Sequence, residues 1–319
     1  MGRRRWVVLA CAFAVAAGLL AGGLVAGGPL TAQASAAPEQ PTALLDPSPP
    51  GSNDWHCKPS DDHPNPVVLV HGLGANQAEN WAYLAPLLAD HGFCVFSLTY
   101  GRNPLAPPPL SQVGGLQPME ESSLELAAFV ALVRKATHAD KVDIVGHSEG
   151  SLMPDYYVKF RGGDEYVDKY VAMTPLWDGT NTAALASANQ AAVAIGLGPG
   201  LGTVFLPLCG SCREFLHGSP FLKRMASDGG PAVDGVTYTT IMTRYDEAVV
   251  PYTSGRLHGD DVTNIVLQDH CPQDLSEHVG VAFDPVAAQF IVNALDPDHA
   301  TRVHCSPVPA NGLPGYGQR

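Results

Sequence analysis

Basic charge is scarce in this sequence. Eighteen Lys and Arg face 31 Asp and Glu, a net charge of −13, and so acidic a surface argues against nucleic-acid partners and against tight binding to anionic membranes. Metal-ligand spacing is missing as well. The pair in Cys209-Gly-Ser-Cys212 lacks the two further ligands a zinc site needs. His56, His63, His91, His138, His217 and His258 follow no ligand spacing and read as surface residues. Nor is this a small stapled scaffold: 319 residues with 45% hydrophobic content can bury a large core, enough for one decorated α/β domain or two modest ones.

Long apolar runs occur once, at the start. MGRRRWVVLACAFAVAAGLLAGGLVAGGPLTAQASA begins with Arg3 to Arg5, continues through Ala, Val, Leu and Gly, and ends on Ala34-Ser35-Ala36. A basic start, an apolar middle and a small-residue exit predict a secretory leader over 1–36, cleaved near Ala36. The run is long enough to span a membrane, but its cleavage-like end and the Pro-rich stretch that follows favour export over anchoring. The arginines also suit a twin-arginine route. Removing the leader leaves 15 basic residues against 31 acidic ones, a net charge of −16.

Without Cys11 of the leader, six cysteines remain: Cys57, Cys94, Cys209, Cys212, Cys271 and Cys305. An even number in an exported chain predicts three disulfides. Locality pairs Cys57 with Cys94, Cys209 with Cys212, and Cys271 with Cys305.

Residues 37–62, with PSPPGSNDWHCKPSDDHP, show neither helical nor strand period and read as an extended lead-in. Six β-type runs follow, starting at Val67, Phe93, Val142, Tyr170, Tyr238 and Thr263. Most are continuous rather than alternating, as in a parallel sheet buried on both faces. Helical patterns lie between them, over 81–91, 122–138 and 284–295, the last with Asp284 as N-cap before Pro285. Strand and helix in alternation predict a doubly wound α/β fold over 63–296, with 297–319 as a tail. One segment, 179–235, breaks the alternation. It is apolar and Gly-rich, and it reads either as a cap-like insertion over the carboxyl edge of the sheet or as ordinary core helix and loop.

Within Val142-Asp-Ile-Val-Gly-His-Ser-Glu-Gly-Ser151 lies Gly-x-Ser-x-Gly. In a chain with 33 glycines that motif arises by accident in roughly one case in five, so its context decides. Val142 to Val145 read as a buried strand, and a helix starts after the second glycine. Strand, sharp turn and helix make a nucleophile elbow, with Ser148 exposed at the sheet edge and Gly146 and Gly150 kept small because a Cβ would crowd the neighbouring elements.

A serine hydroxyl needs a base, and the base an orienting acid, in the chain order serine, acid, histidine. Asp246 follows the strand ending at Thr243, with Glu247 and Asp178 as alternative acids. His278 precedes the last helix and is preferred over His270, which adjoins Cys271. Two N–H donors for an oxyanion complete such a site: Glu149, the residue after the nucleophile, and Leu73, in the loop His71-Gly72-Leu73-Gly74. Only the backbone of Glu149 is required. Its side chain, at a helix N-terminus, is expected to point to solvent, with a polar tether to the insertion or a neighbouring loop as the alternative.

On these stretches the chain resembles the class 2 lipases, secreted bacterial lipases and esterases of the α/β-hydrolase fold. The resemblance runs over about 53–296 and is carried by NDWHC (53–57), PVVLVHGLGAN (66–76), CVFSLTYG (94–101), VDIVGHSEGSLMPDYYVKF (142–160), TPLWDGT (174–180), TRYDEAVVPYTSG (243–255) and LSEHVGVAFDP (275–285). It implies a mostly parallel sheet flanked by helices, a triad of Ser148, Asp246 and His278, an oxyanion hole of Leu73 and Glu149, and no cofactor. Gln or Met is commoner in that family at the position of Glu149. The activity implied is a secreted, monomeric carboxylic-ester hydrolase, a lipase acting on acylglycerols in transient contact with lipid aggregates. A short-chain or polyester-cleaving esterase, or an acyltransferase with the same triad, is the alternative.

Overall fold

The computed structural model describes residues 47–103, 110–181 and 209–313. The leader, residues 37–46 of the lead-in, 182–208 of the insertion and the last six residues of the tail lie outside the described residues.

Six parallel strands form one sheet: β1 (Val67–Val70), β2 (Val95–Leu98), β3 (Val142–His147), β4 (Val167–Met173), β5 (Thr237–Met242) and β6 (Val262–Val266), in the order β2-β1-β3-β4-β5-β6. The helices among the described residues are α1 (Gln77–Asn80), α2 (Leu84–Asp90), α3 (Met119–Thr137), α4 (Glu149–Phe160), α5 (Pro220–Met225), α6 (Leu267–His270) and α7 (Pro285–Leu295).

The sheet is buried on both faces because its side chains alternate between two cores. Val68, Val70, Ile144, Tyr170 and Tyr238 pack with Leu126, Val130 and Val133 of α3 and Leu152, Met153 and Tyr156 of α4. Val67, Leu69, Val145, Val171 and Ile241 pack on the other face with Leu84 and Leu88 of α2 and Val286, Ile291 and Leu295 of α7. Parallel strands covered by helices on both sides are the reason β1 reads VVLV without alternation.

Several boundaries differ from those the sequence suggests, each for a local reason. The helix expected from Trp81 begins at Leu84, which puts Pro86 in the first turn, where its missing N–H removes no intrahelical bond. α3 starts three residues earlier than expected, at Met119, with Glu120 and Glu121 in its first turn and Arg134 and Lys135 in its last, matching the helix dipole at both ends. β4 starts at Val167 rather than Tyr170. Its polar opening escapes an apolar pattern because Lys169 Nζ pairs with the buried Asp143 at 3.6 Å from Oδ2, while Lys169 N–H donates to Oδ1 at 3.0 Å and Asn65 Nδ2 donates to the same Oδ1 at 3.1 Å. At α7, Asp284 caps the helix by accepting from Val286 N–H at 2.7 Å, with Pro285 in the first turn.

Cys57–Cys94, Cys209–Cys212 and Cys271–Cys305 are bonded. The first holds the lead-in against the start of β2 and the last holds the tail beside α6. The described end of the insertion joins the α3/α4 core through Phe215, Phe221, Leu222 and Met225. Among the described residues no helix is long and apolar enough to cross a membrane.

Leu69 is fully buried at the centre of the sheet. Leu69→Ala is expected to lower stability by about 2–5 kcal/mol, read as a fall in the urea midpoint.

Candidate active site

Every strand of a parallel sheet ends at the same edge, so the loops after β1, β3 and β5 meet there. The elbow between β3 and α4 is built by close approach. A Cβ on Gly146 would lie 2.0 Å from Gly150 O, and one on Gly150 only 2.2 Å from Val70 O and 2.3 Å from His71 O. The turn is thereby pressed onto the end of β1, and Ser148 sits at its apex with φ 57° and ψ −125°, outside the ordinary regions for a residue with a side chain. Its N–H donates to Met173 O at 2.9 Å, and its carbonyl accepts from the Ser151 hydroxyl at 2.6 Å.

Ser148 Oγ donates to His278 Nε2 at 2.7 Å, and His278 Nδ1 donates to Asp246 Oδ2 at 3.0 Å. The acid fixes the tautomer, leaving Nε2 as the acceptor. Asp246 is itself held by N–H groups of Ala248 at 3.0 Å and Val249 at 2.7 Å, both donating to Oδ1. Its side chain is 2% exposed and that of His278 9%.

The alternatives fall elsewhere. Glu247 does not touch the imidazole but accepts from the His278 backbone N–H at 3.2 Å. Asp178 is exposed, and His270 is exposed with its ring edge-on to Phe290. Burial alone would lower the pKa of His278, but the charge and hydrogen bond of Asp246, with Glu247 and Glu277 behind it, more than offset that, and the net direction is up.

Around this relay the sequence gives little sign of three supporting side chains. His71 is fully buried; its Nδ1 donates to Gly72 O at 2.8 Å and its Nε2 accepts from Tyr100 N–H at 3.3 Å. Burial pushes it down to about 4, so it is a neutral brace for the loop that carries Leu73. His147, lowered by burial to about 3, touches Asn80 Oδ1 with Nδ1 and the His278 carbonyl with Nε2, both at 2.9 Å.

A neutral ring has one N–H for those two oxygens. Turning the Asn80 amide gives its otherwise unpartnered Nδ2 a bond to His147 Nδ1 and leaves the ring N–H for His278 O, at the loss of the 3.2 Å contact from Gly72 N–H. His147 is legible only as the residue before Ser148, and Asn80 carries no signal at all.

The Glu149 side chain does not point to solvent. It is 1% exposed, with Oε1 against the Tyr100 hydroxyl at 3.1 Å and Oε2 against the Ser211 hydroxyl at 2.8 Å. The physical reason is the elbow's tight seat, which turns the first residue of α4 inward beneath the loop at 114–116. The tether to the insertion is thus the arrangement found.

Its backbone N–H is among the first of α4, which have no intrahelical acceptor. No acceptor for the Leu73 N–H is found among the described residues. No group of three or more His, Cys, Asp or Glu side chains suited to a metal ion occurs among them either. Gly150→Ala is expected to displace the elbow from β1 and lower the thermal midpoint by several degrees, with Ser151→Ala, beside it, costing less.

The family model for lipase (class 2) matches residues 64–291. Among solved structures, Aspergillus fumigatus lipase B aligns with a TM-score of 0.59 at 20% identity, over 81% of this chain and 57% of that one. Bacillus licheniformis lipase BlEst2 in its propeptide form aligns with a TM-score of 0.52 at 15% identity, over 79% and 53%. This chain therefore spans little more than half the length of either. No curated protein matches the sequence. At such identities the likeness is one of fold, and with the six-stranded parallel sheet it shows the α/β-hydrolase fold. The match over 64–291 places the chain in the class 2 lipase family.

Proposed function

We propose that this protein is a secreted serine hydrolase that cleaves carboxylic esters, acting on acylglycerols through an acyl-enzyme. The observation that carries the reading is the relay from Ser148 through His278 to Asp246 at 2.7 and 3.0 Å.

Ser148 Oγ attacks the ester carbonyl carbon while its proton passes to His278 Nε2. The developing oxyanion is held by the Leu73 and Glu149 N–H groups, each worth about 3 kcal/mol in the transition state. Collapse expels the alcohol, which takes the proton from Nε2 and leaves Ser148 acylated. Water then attacks the acyl carbon, giving its proton to His278, and the acid departs as Ser148 recovers its own. Asp246 stabilises the imidazolium formed in each half, and Glu247, holding the His278 main chain, keeps the ring in register.

Export is supported by the leader-like start and by three disulfides. The family's name supports an ester as substrate. Short-chain esterase, polyesterase and acyltransferase activities use the same relay and are separated by substrate rather than by geometry.

A fluorophosphonate probe is expected to label wild-type protein but not Ser148→Ala, which loses at least about ten-thousandfold in kcat. Labelling at another serine contradicts the reading. Emulsified triacylglycerol and a chain-length series of esters, with and without an alcohol acceptor, then decide between lipase and its alternatives.

His278 must be neutral to accept the serine proton. With its pKa raised above the ordinary 6.5, kcat/KM is expected to fall as pH drops through a value above 6.5. Glu247→Gln, which removes one of the charges raising it, is expected to move that limb to lower pH. An acid limb that Glu247→Gln leaves in place contradicts the electrostatic account.

A further inference from the structure

Among the buried ionisable groups that the relay leaves unused is the side chain of Glu149, 1% exposed. Its surroundings can be counted in protons. The Ser211 hydroxyl lies 2.7 Å from Gly115 O and 2.8 Å from Glu149 Oε2. The Tyr100 hydroxyl lies 3.0 Å from His71 O and 3.1 Å from Glu149 Oε1. Two hydroxyls own two protons, and four oxygens face them. An ionised carboxylate adds none, so meeting it with both protons would leave Gly115 O and His71 O, both buried, unserved. A neutral carboxylic acid adds a third proton: Ser211 then donates to Gly115 O while Glu149 donates from Oε2 to Ser211 Oγ. Tyr100 is left to share its proton between His71 O and Glu149 Oε1.

What this group joins is the second observation. Ser211 stands inside the Cys209–Cys212 disulfide turn. Gly210 N–H of that turn donates to Leu116 O at 2.7 Å, and the same 114–116 stretch pairs with the oxyanion loop, Gly74 N–H to Gly114 O at 3.0 Å and Gly114 N–H to Ala75 O at 2.8 Å. A Cβ on Gly115 would meet both Glu149 Oε1 and Leu73 Cα at 3.0 Å. The carboxyl is therefore wedged under a stretch that touches the Leu73 loop, the disulfide turn and the elbow.

We propose that Glu149 works as a neutral carboxylic acid, a latch that ties the nucleophile elbow to the Cys209–Cys212 turn and so positions both oxyanion donors, its own N–H and that of Leu73. This rests on the reading of those two N–H groups given above. Glu149 is a positioning residue through its side chain; only its backbone meets the substrate.

Burial raises its pKa to about 8, with Glu214 after the disulfide turn adding repulsion; hydroxyls that donated to a carboxylate would oppose that rise. The other groups around the latch are His71 on the β1 loop, Arg102 after β2 and Glu125 on α3: Arg102 acts on His71 and on Glu125, and Glu125 acts on Tyr100. Between about pH 4.5 and about 8 the unfolded chain has lost this proton and the folded protein keeps it. Stability therefore falls with rising pH across that window, through this group alone, by the linkage of proton binding to folding. Above it the carboxylate forms and the latch opens.

The test compares wild type, Glu149→Gln, Glu149→Leu and Ser211→Ala, by thermal midpoint from pH 5 to 8 and by kcat and KM on a soluble short-chain p-nitrophenyl ester from pH 6 to 10. The midpoint of Glu149→Gln minus that of wild type is expected to grow as pH rises, because Gln cannot ionise. Wild-type kcat is expected to fall above about pH 8, and this limb disappears in Glu149→Gln.

Glu149→Leu is expected to lose tenfold or more in kcat with KM within twofold, and Glu149→Gln to regain most of that loss. Ser211→Ala, which removes the acceptor of the acid's proton, moves the alkaline limb to lower pH; a shift to higher pH means Ser211 was serving a carboxylate and overturns the latch. A midpoint difference that stays flat with pH also overturns it, and leaves the ester-hydrolase reading standing if wild type hydrolyses the ester. If wild type hydrolyses no ester, the proposed function fails while the midpoint series still decides the state of Glu149.

Discussion

The seat of Gly150 against the carbonyls of Val70 and His71, where not even a methyl group fits, is the constraint on which the rest of the site depends. It presses the elbow onto the end of β1, and strain at Ser148 follows from it, with φ at 57°. So does the neighbourhood of Ser148 and the Leu73 loop, since the loop continues from the strand end that the elbow touches. So does the burial of Glu149, whose side chain has nowhere to go but inward. The cost of the strained turn is offset by four helices and a sheet whose apolar side chains fill both faces.

Electrostatically the site contrasts quiet walls with one responsive relay. His71 and His147 are driven neutral by burial, and burial holds the Glu149 carboxyl toward its acid form. Near neutral pH all three are thereby biased toward their uncharged forms beside Ser148. His278 is as deeply set, yet Asp246 tips it the other way. In the proposed reaction, an oxyanion developing at Ser148 would then meet oriented N–H dipoles without a Glu149 carboxylate beside them, a condition that favours preorganised donors.

Much of this was legible in the residues. Continuous apolar strands announced a sheet covered on both faces, and Gly-x-Ser-x-Gly between a strand and a helix announced a turn too tight for side chains at its two glycines. Ser148, Asp246 and His278 could be singled out because a nucleophile, an acid and a base must follow in that order after particular strands. The side chain of Glu149 was misread for a physical reason: a carboxylate at a helix N-terminus is favourable in water, and nothing local says that this helix end is covered by a turn 62 residues away. Asn80 and His147 were out of reach on the same ground. Their roles are contacts between residues far apart in the chain, at the ends of α1 and β3, and the polar start of β4 was hidden because an ion pair, rather than apolar packing, accounts for it.

The central claim is that one strained turn brings Ser148, His278 and two backbone donors to a single point. A crystal structure of the protein reacted with an alkyl phosphonate tests it most directly. The account predicts phosphorus bonded to Ser148 Oγ, with the phosphoryl oxygen about 3 Å from both the Leu73 and Glu149 N–H groups. An adduct on another serine, or a phosphoryl oxygen turned away from those donors, would contradict it.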